Sequence, residues 1–145
     1  MTEIIAELLD QQEILKYLTG IADVEEESGI YNIDPGGWIN AGENAIAINE
    51  RRSERCLIKY ELWNGQPPPL DAWDRTWSGD VRFASGRVFA LSDYDGDTTY
   101  GEAFDLGRRD TLWRVSIHRK ALAHEDFTPD IVGVTLLKAR FWPAA

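Results

Sequence analysis

The stretch Leu91–Glu102, Leu-Ser-Asp-Tyr-Asp-Gly-Asp-Thr-Thr-Tyr-Gly-Glu, places Asp93, Asp95 and Asp97 at alternate positions around Gly96. Carboxylates so spaced are the oxygen donors that calcium takes, and an EF-hand loop adds a glycine at its sixth position and a bidentate acid at its twelfth. Counted from Asp93, Gly96 is fourth and Phe104 is twelfth, so the motif fails at both. Asp95-Gly96 is also a dipeptide favoured in tight hairpin turns, whose central positions take positive φ. It lies between Val88–Leu91 and the apolar residues around Phe104, where a hairpin tip belongs. A structural turn is the expectation for Asp93–Asp97, with weak cation binding by exposed acids as the other reading.

The remaining reactive side chains form no constellation. His118 and His124 stand six apart with no third donor at a recognised spacing, whereas a zinc site takes three or four. His118 falls on the polar side of its segment beside Arg119 and Lys120, which reads as a solvated imidazole. Glu125 and Asp126 adjoin His124, but the chain has no nucleophile elbow, glycine-rich phosphate loop or metalloprotease helix. Cys56, the single cysteine, sits in an apolar run and reads as a small buried hydrophobe. The expectation is a protein that is not an enzyme and uses no cofactor and no metal.

Charge says more. The net charge is −10, and it is concentrated: residues 1–50 carry eleven acids and one base, Lys16, while residues 51–145 carry fourteen of each. An acidic face repels nucleic acid and membranes and attracts basic partners, although a merely solubilising face has the same composition. No apolar run reaches the length of a membrane span and the N-terminus lacks the pattern of a secretory signal, so a cytoplasmic protein is expected.

Six tryptophans stand out in a chain of 145 residues. Trp113 belongs to the apolar side of a strand. Trp73 and Trp77 lie in the polar run Asp71-Ala-Trp-Asp-Arg-Thr-Trp-Ser78, where each suits an exposed aromatic that anchors an interface or stacks on a sugar. Trp38, in an acidic glycine-rich loop with no strand beside it to bury it, is the strongest candidate for a functional aromatic.

The elements that must position these residues are short strands. With 43% hydrophobic residues the chain is long enough for one core, so residues 1–145 are read as a single domain. Cys56, Ile58, Tyr60 and Leu62 alternate with Lys59 and Glu61, and Trp113, Val115 and Ile117 alternate with Arg114, Ser116 and His118; both are half-buried strand patterns. Val81–Phe83 and Arg87–Leu91 flank Ala84-Ser85-Gly86 as in a hairpin. Asn64-Gly-Gln-Pro-Pro-Pro69 reads as a stiff connection passing from one sheet to the other. Ala45–Ile48 is a further strand, and Ile131–Trp142 is the closing one. Residues 2–18 have apolar residues near helical spacing among good helix formers, yet they also divide into Ile4–Leu9 and Ile14–Leu18 as a hairpin would. The fold class is all-β, an antiparallel sandwich of jelly-roll type, its N-terminal segment either a strand hairpin or a short helix.

The run Tyr60-Glu-Leu-Trp-Asn-Gly-Gln-Pro-Pro-Pro69, Trp73, Leu106 with Trp113-Arg-Val115, and the ending Phe141-Trp-Pro-Ala144 resemble a group of uncharacterised small bacterial β-rich proteins. The resemblance covers roughly residues 45–145 and implies strands at the N-terminus as well. In architecture and acidity, though in no motif, the chain is also similar to competence proteins that inhibit a partner nuclease. Together these support an acidic protein-binding module, an inhibitor or immunity protein that docks on a basic nuclease or toxin through Asp23, Glu25, Glu26, Glu27, Asp34 and Trp38. The alternative is a sandwich that binds carbohydrate or another small ligand through Trp73 and Trp77. Oligomeric state is left open.

Overall fold

In the segment Arg55–Trp63 the side chains of Cys56, Ile58, Tyr60 and Leu62 are buried on one side, as their period of two requires. The same alternation buries Trp113, Val115 and Ile117. The structure, a computed structural model, describes residues 5–34, 36–50, 55–70, 73–94, 97–121 and 134–144. In chain order its strands are β1 (Glu7–Leu15), β2 (Leu18–Asp23), β3 (Ile39–Gly42), β4 (Ala45–Glu50), β5 (Arg55–Trp63), β6 (Arg75–Phe83), β7 (Arg87–Tyr94), β8 (Asp97–Tyr100), β9 (Phe104–Asp105), β10 (Thr111–Ala121) and β11 (Val134–Pro143), with a short 3-10 helix at Glu27–Asn32 between β2 and β3. Sheet A has the order β1-β5-β11-β10-β6, and sheet B has β3-β4-β2-β7-β8 with β9 also pairing β7. All pairings are antiparallel except that of β11 with β5.

The two sheets form a sandwich around an aromatic spine. Phe104 lies 5.2 Å from Tyr60 and 6.1 Å from Phe141, and Phe141 lies 6.3 Å from Phe83, centroid to centroid. Ile21, Ile46, Ile48, Val88 and Ala90 fill the space from sheet B. A smaller apolar layer lies on the other side of sheet B, where Ala22, Ala45 and Leu91 pack with Ile30, and Ile33 and Phe89 pack against them. The 3-10 helix is therefore seated on the outer face of sheet B. Among the described residues no helix is long and apolar enough to cross a membrane.

Several expectations require correction. The N-terminal segment is strand and not helix, because eight β1 residues find partners in β5 and that ladder outweighs a modest helix propensity. It is not a hairpin either: β1 runs through the Asp-Gln-Gln-Glu tetrad, and the corner at Lys16–Tyr17, with Tyr17 at φ 54°, carries the chain into β2 of the other sheet. Val81–Phe83 and Arg87–Leu91 likewise belong to different sheets, so Ala84-Ser-Gly86 is an arch between them. The closing strand β11 lies inside sheet A, between β5 and β10; residues 131–133 of the expected strand lie outside the described residues.

The proline run does not change sheets. Both β5 and β6 belong to sheet A with β11 and β10 between them, and the connection passes over the outer face of that sheet. It is held there by the Arg140 Nη1 donation to the Pro68 carbonyl at 2.7 Å and by Trp73, whose ring is 5.7 Å from that of His118. Ser116 and His118 point outward as expected, but both are buried, and His118, expected to be solvated, is only 6% exposed. The hairpin around Asp95-Gly96 pairs Tyr94 with Asp97 and Leu91 with Tyr100, while Phe104 pairs Val88 through β9. Asp95, Gly96, His124, Glu125 and Asp126 lie outside the described residues. Among those described, no group of three or more His, Cys, Asp or Glu is placed to hold a metal ion.

Candidate functional site

The acidic segment begins where β2 ends. Asp23 is fully buried. Its Oδ1 accepts from the amides of Glu25 (2.9 Å) and Glu26 (3.1 Å), and its Oδ2 accepts from the amide (2.8 Å) and hydroxyl (2.9 Å) of Ser85. A carboxylate enclosed in this way turns the chain into the 3-10 helix and is not available as a docking surface, which removes Asp23 from the expected contact set.

Glu25 is exposed but engaged. Arg109 donates to both of its oxygens, at 3.3 and 2.9 Å, and Arg87 stands 4.0 Å away. The hydrogen bond from Arg109, and then its charge, hold the Glu25 carboxyl below the ordinary range. Glu26 is exposed and lines a shallow depression of about 270 Å³ with Ser28, Asn32, Glu43 and Asn44. Glu27 is half-buried, and its hydrogen bond from Tyr100 raises that phenol above its ordinary range. The Oε2 atom of Glu27 is shielded from solvent and has no hydrogen-bond partner. Asp34 is exposed, accepts from the Gly36 amide at 3.2 Å, and is tied through its carbonyl to Asn40 Nδ2 at 2.9 Å.

Between the 3-10 helix and β3 the outer face of sheet B opens into a groove of about 310 Å³. Ile30, Tyr31 and Ile33 line it from the helix side, Trp38 and Asn40 from the β3 side, and Thr19, Ala47 and Asp93 from neighbouring strands. Trp38 is half-buried against the main core, with the Arg75 guanidinium 4.9 Å from its ring centroid. Asp93, singled out in sequence as part of a turn, lies at the groove and accepts from Thr98 Oγ1 at 2.6 Å. The fold thus brings Trp38, Asp34 and Glu27 to one region and adds Tyr31, Tyr100 and Asp93. Tyr31 comes from the 3-10 helix just before Trp38, whereas Asp93 and Tyr100 come from β7 and β8, more than 50 positions further on, and no local pattern joins those two to Trp38.

Trp73 and Trp77 do not share a surface. Trp77 pairs with Ile117 in the ladder and packs against the core, whereas Trp73 lies over His118 on the outer face with Lys138 Nζ 5.5 Å from its ring. Trp73 covers a polar cluster instead. Glu61, 3% exposed, meets Lys59 Nζ (3.1 Å), Lys138 Nζ (3.4 Å), Arg140 Nε (3.2 Å) and Trp63 Nε1 (3.1 Å). Burial pushes the Glu61 carboxyl up, but the hydrogen bonds from Lys59 and Trp63 and the Lys138 charge outweigh it, leaving the group below its ordinary range. His118 Nε2 is 3.0 Å from Ser116 Oγ and Nδ1 is 3.2 Å from Thr76 Oγ1. Burial, then the charges of Arg140 and Lys138, lower its pKa to about 4, so the imidazole is neutral at pH 7. A hydroxyl on an imidazole suggests nucleophile activation, but the orienting group is a threonine, which cannot stabilise an imidazolium, and Ser116 is itself buried. The cluster knits the proline-rich connection between β5 and β6, a strap over the outer face, to sheet A.

Fold and site together define a β-sandwich whose sheet B carries a groove lined by Tyr31, Trp38 and Asp93. No protein-family model matches the chain, and no curated protein matches it. Among solved structures, ComJ from Bacillus subtilis, inhibitor of the DNA degrading activity of NucA, shares the fold with a TM-score of 0.59 at 9% identity, over 95% of this chain and 98% of its own. The protein named Crocagin biosynthetic gene J aligns with a TM-score of 0.53 at 12% identity over 100% of both chains. At these identities the likeness is one of fold.

Proposed function

We propose that the chain is an acidic protein-binding module, an inhibitor or immunity protein, that docks the outer face of sheet B onto a basic partner of nuclease or toxin type. The observation that carries this reading is the groove between the 3-10 helix and Trp38, with Asp93 in its lining, Glu27 and Asp34 in the segment that borders it and, among the described residues, no basic residue in its lining, although Arg75 lies against the Trp38 ring. Carboxylates presented in this way compete for the cationic surface on which a nuclease holds phosphates, and they accelerate encounter with it. Trp38 and Tyr31 supply the desolvated aromatic anchor that charge alone lacks. Glu26, Glu27, Asp34 and Trp38 remain in the contact set; Glu25 adds to it only where a partner outcompetes Arg109. The fold shared with a nuclease inhibitor agrees with this reading.

The test mixes the protein with DNA-degrading enzymes and toxins encoded beside its gene and follows plasmid degradation. Inhibition should weaken steeply towards about 1 M salt, where exposed charges are screened, and should fall with Glu26→Gln, Glu27→Gln, Asp34→Asn and Trp38→Ala. Inhibition indifferent to both salt and these substitutions would refute the docking face.

A further inference from the structure

The groove beside Trp38 is a gap in a layer of side chains. Along β4, Ile46 and Ile48 face the core, so the alternating Ala45 and Ala47 face outward, and β2 sets Gly20 opposite Ala47 and Ala22 opposite Ala45. The 3-10 helix fills part of the resulting trough. Ile30 packs with Ala22, Ala45 and Leu91, and a Cβ on Gly20 would collide with Ile30 Cδ1. Beyond Ile30 the trough stays open over Ala47, and that opening is the groove of about 310 Å³.

Its chemistry changes from one end to the other. Trp38, which leads into β3, stands at one end with Asn40, Tyr31 forms the wall on the helix side, and Thr19 and Asp93 stand at the β7 end. Asp93 is half-buried. Its carboxylate accepts from Thr98 Oγ1 at 2.6 Å and its amide donates to Thr19 Oγ1 at 3.0 Å, yet no lysine, arginine or histidine among the described residues pairs with it. The Tyr100 phenol, raised first by its hydrogen bond to Glu27, is raised further by the Asp93 charge, so both carboxylates stand near one another. Arg75 does not neutralise them. It belongs to β6, beside β3 and against the Trp38 ring, whereas Asp93 lies three strands beyond β3 in the order β3-β4-β2-β7, about 14 Å at the usual strand spacing. Physiological salt largely screens charges separated by more than about 8 Å.

We infer that the groove takes one arginine side chain of a basic protein partner, its stem over Ala47 between Tyr31 and Trp38 and its guanidinium on the Asp93 carboxylate. The inference rests on the docking face proposed above and names what that face grips. The net charge of −10 favours a cationic occupant. An apolar side chain would fill the volume but leave the Asp93 charge covered and unpaired. A lysine would satisfy the charge, but its ammonium is strongly hydrated and cannot stack, whereas a guanidinium lies flat on an aromatic face and donates in a fork to a carboxylate.

The probes are three blocked tripeptides, acetyl-Gly-Arg-Gly-amide and its lysine and leucine counterparts, followed by amide and indole NMR of the full chain. The arginine peptide should shift the Trp38 indole and the Asn40 and Asp93 amides saturably in the millimolar range, with the lysine peptide roughly threefold weaker or worse and the leucine peptide silent. Asp93→Asn should weaken the arginine peptide roughly tenfold, and so should Ala47→Leu, which fills the floor and leaves Asp93 intact. Asp80→Asn, on the other sheet, should have no effect. Leucine binding as well as arginine, lysine binding equally, arginine binding that survives both groove variants, or arginine binding that falls as much with Asp80→Asn would each overturn the inference. Plasmid degradation separates this failure from that of the docking face. Inhibition lost with Asp34→Asn and Trp38→Ala but kept with Asp93→Asn and Ala47→Leu overturns the arginine pocket and leaves the face standing; groove binding of the arginine peptide by a protein that inhibits no nuclease or toxin supports the pocket and removes the face. Circular dichroism of each variant separates lost binding from lost folding.

Discussion

The Asp23 carboxylate grips Ser85 twice, through the backbone amide at 2.8 Å and the hydroxyl at 2.9 Å, and so ties the end of β2 to the arch between β6 and β7. With its other oxygen on the amides of Glu25 and Glu26, one buried side chain fixes both the bend between the sheets and the start of the acidic segment. Asp23→Ala leaves these donors without an acceptor. At 1–3 kcal/mol for a charge-assisted bond or an orphaned donor, the loss should be about 3 kcal/mol or more. Urea unfolding at pH 7 measures it. A loss below about 1 kcal/mol would show that the contact is incidental.

Gly86 belongs to the same arch. Its φ is +75°, and a Cβ there would collide with the backbone carbonyl of Arg108. Gly86→Ala is therefore both strained and obstructed, with an expected cost of about 2 kcal/mol or more. Thermal unfolding checks it against Gly36→Ala, where a Cβ meets nothing closer than 3.7 Å and φ is not positive.

Glu61 predicts a difference between buried and exposed ion pairs. Glu61→Gln leaves Lys59, Lys138 and the 5%-exposed Arg140 side chain around an uncharged group, and should cost about 3 kcal/mol. Breaking the surface pair Arg114–Asp80, 3.0 Å apart with both partners over 40% exposed, by Asp80→Asn should cost less than about 1 kcal/mol. Parallel urea titrations of the two variants compare them directly.

His118 sets an acid limit. Its folded pKa is about 4 against 6.5 for a free imidazole, so the unfolded chain takes up the proton first as pH falls. Stability should decline from about pH 6.5 to about pH 4 and then level as far as this residue is concerned; the ceiling is about 3 kcal/mol. The depressed Glu61 acts in a lower window: its contribution is present above about pH 4.5 and is lost as pH falls through its folded value. His118→Asn should flatten the upper window only, and Trp73→Ala, by admitting water, should move the His118 titration back towards 6.5. Histidine NMR titration and unfolding at several pH values test both statements.

How far the sequence led differs by element. The strands at Cys56–Leu62 and Trp113–Ile117 were legible because a period of two is local and one face of each is apolar. Which sheet a strand joins was not legible: Ser85-Gly86 suits a hairpin and an arch equally, and only the partners of β6 and β7 decide between them. The N-terminal strand was ambiguous for the same reason, since the apolar residues of the segment 2–18 lie near helical spacing until β5 offers β1 a ladder. At the candidate site, Trp38 and the acids stood out by composition, but the enclosure of Asp23 by Ser85, 62 positions away, and the pairing of Glu25 with Arg109, 84 positions away, had no local sign.

By itself the sequence determined an all-β chain with its negative charge crowded into the first third, because alternation and composition are written residue by residue. Tertiary structure decided which acids remain available to a partner and which polar side chains are buried beneath the proline strap. It did so because burial and ion pairing depend on what a distant segment brings alongside, and that depends on the order of strands in two sheets.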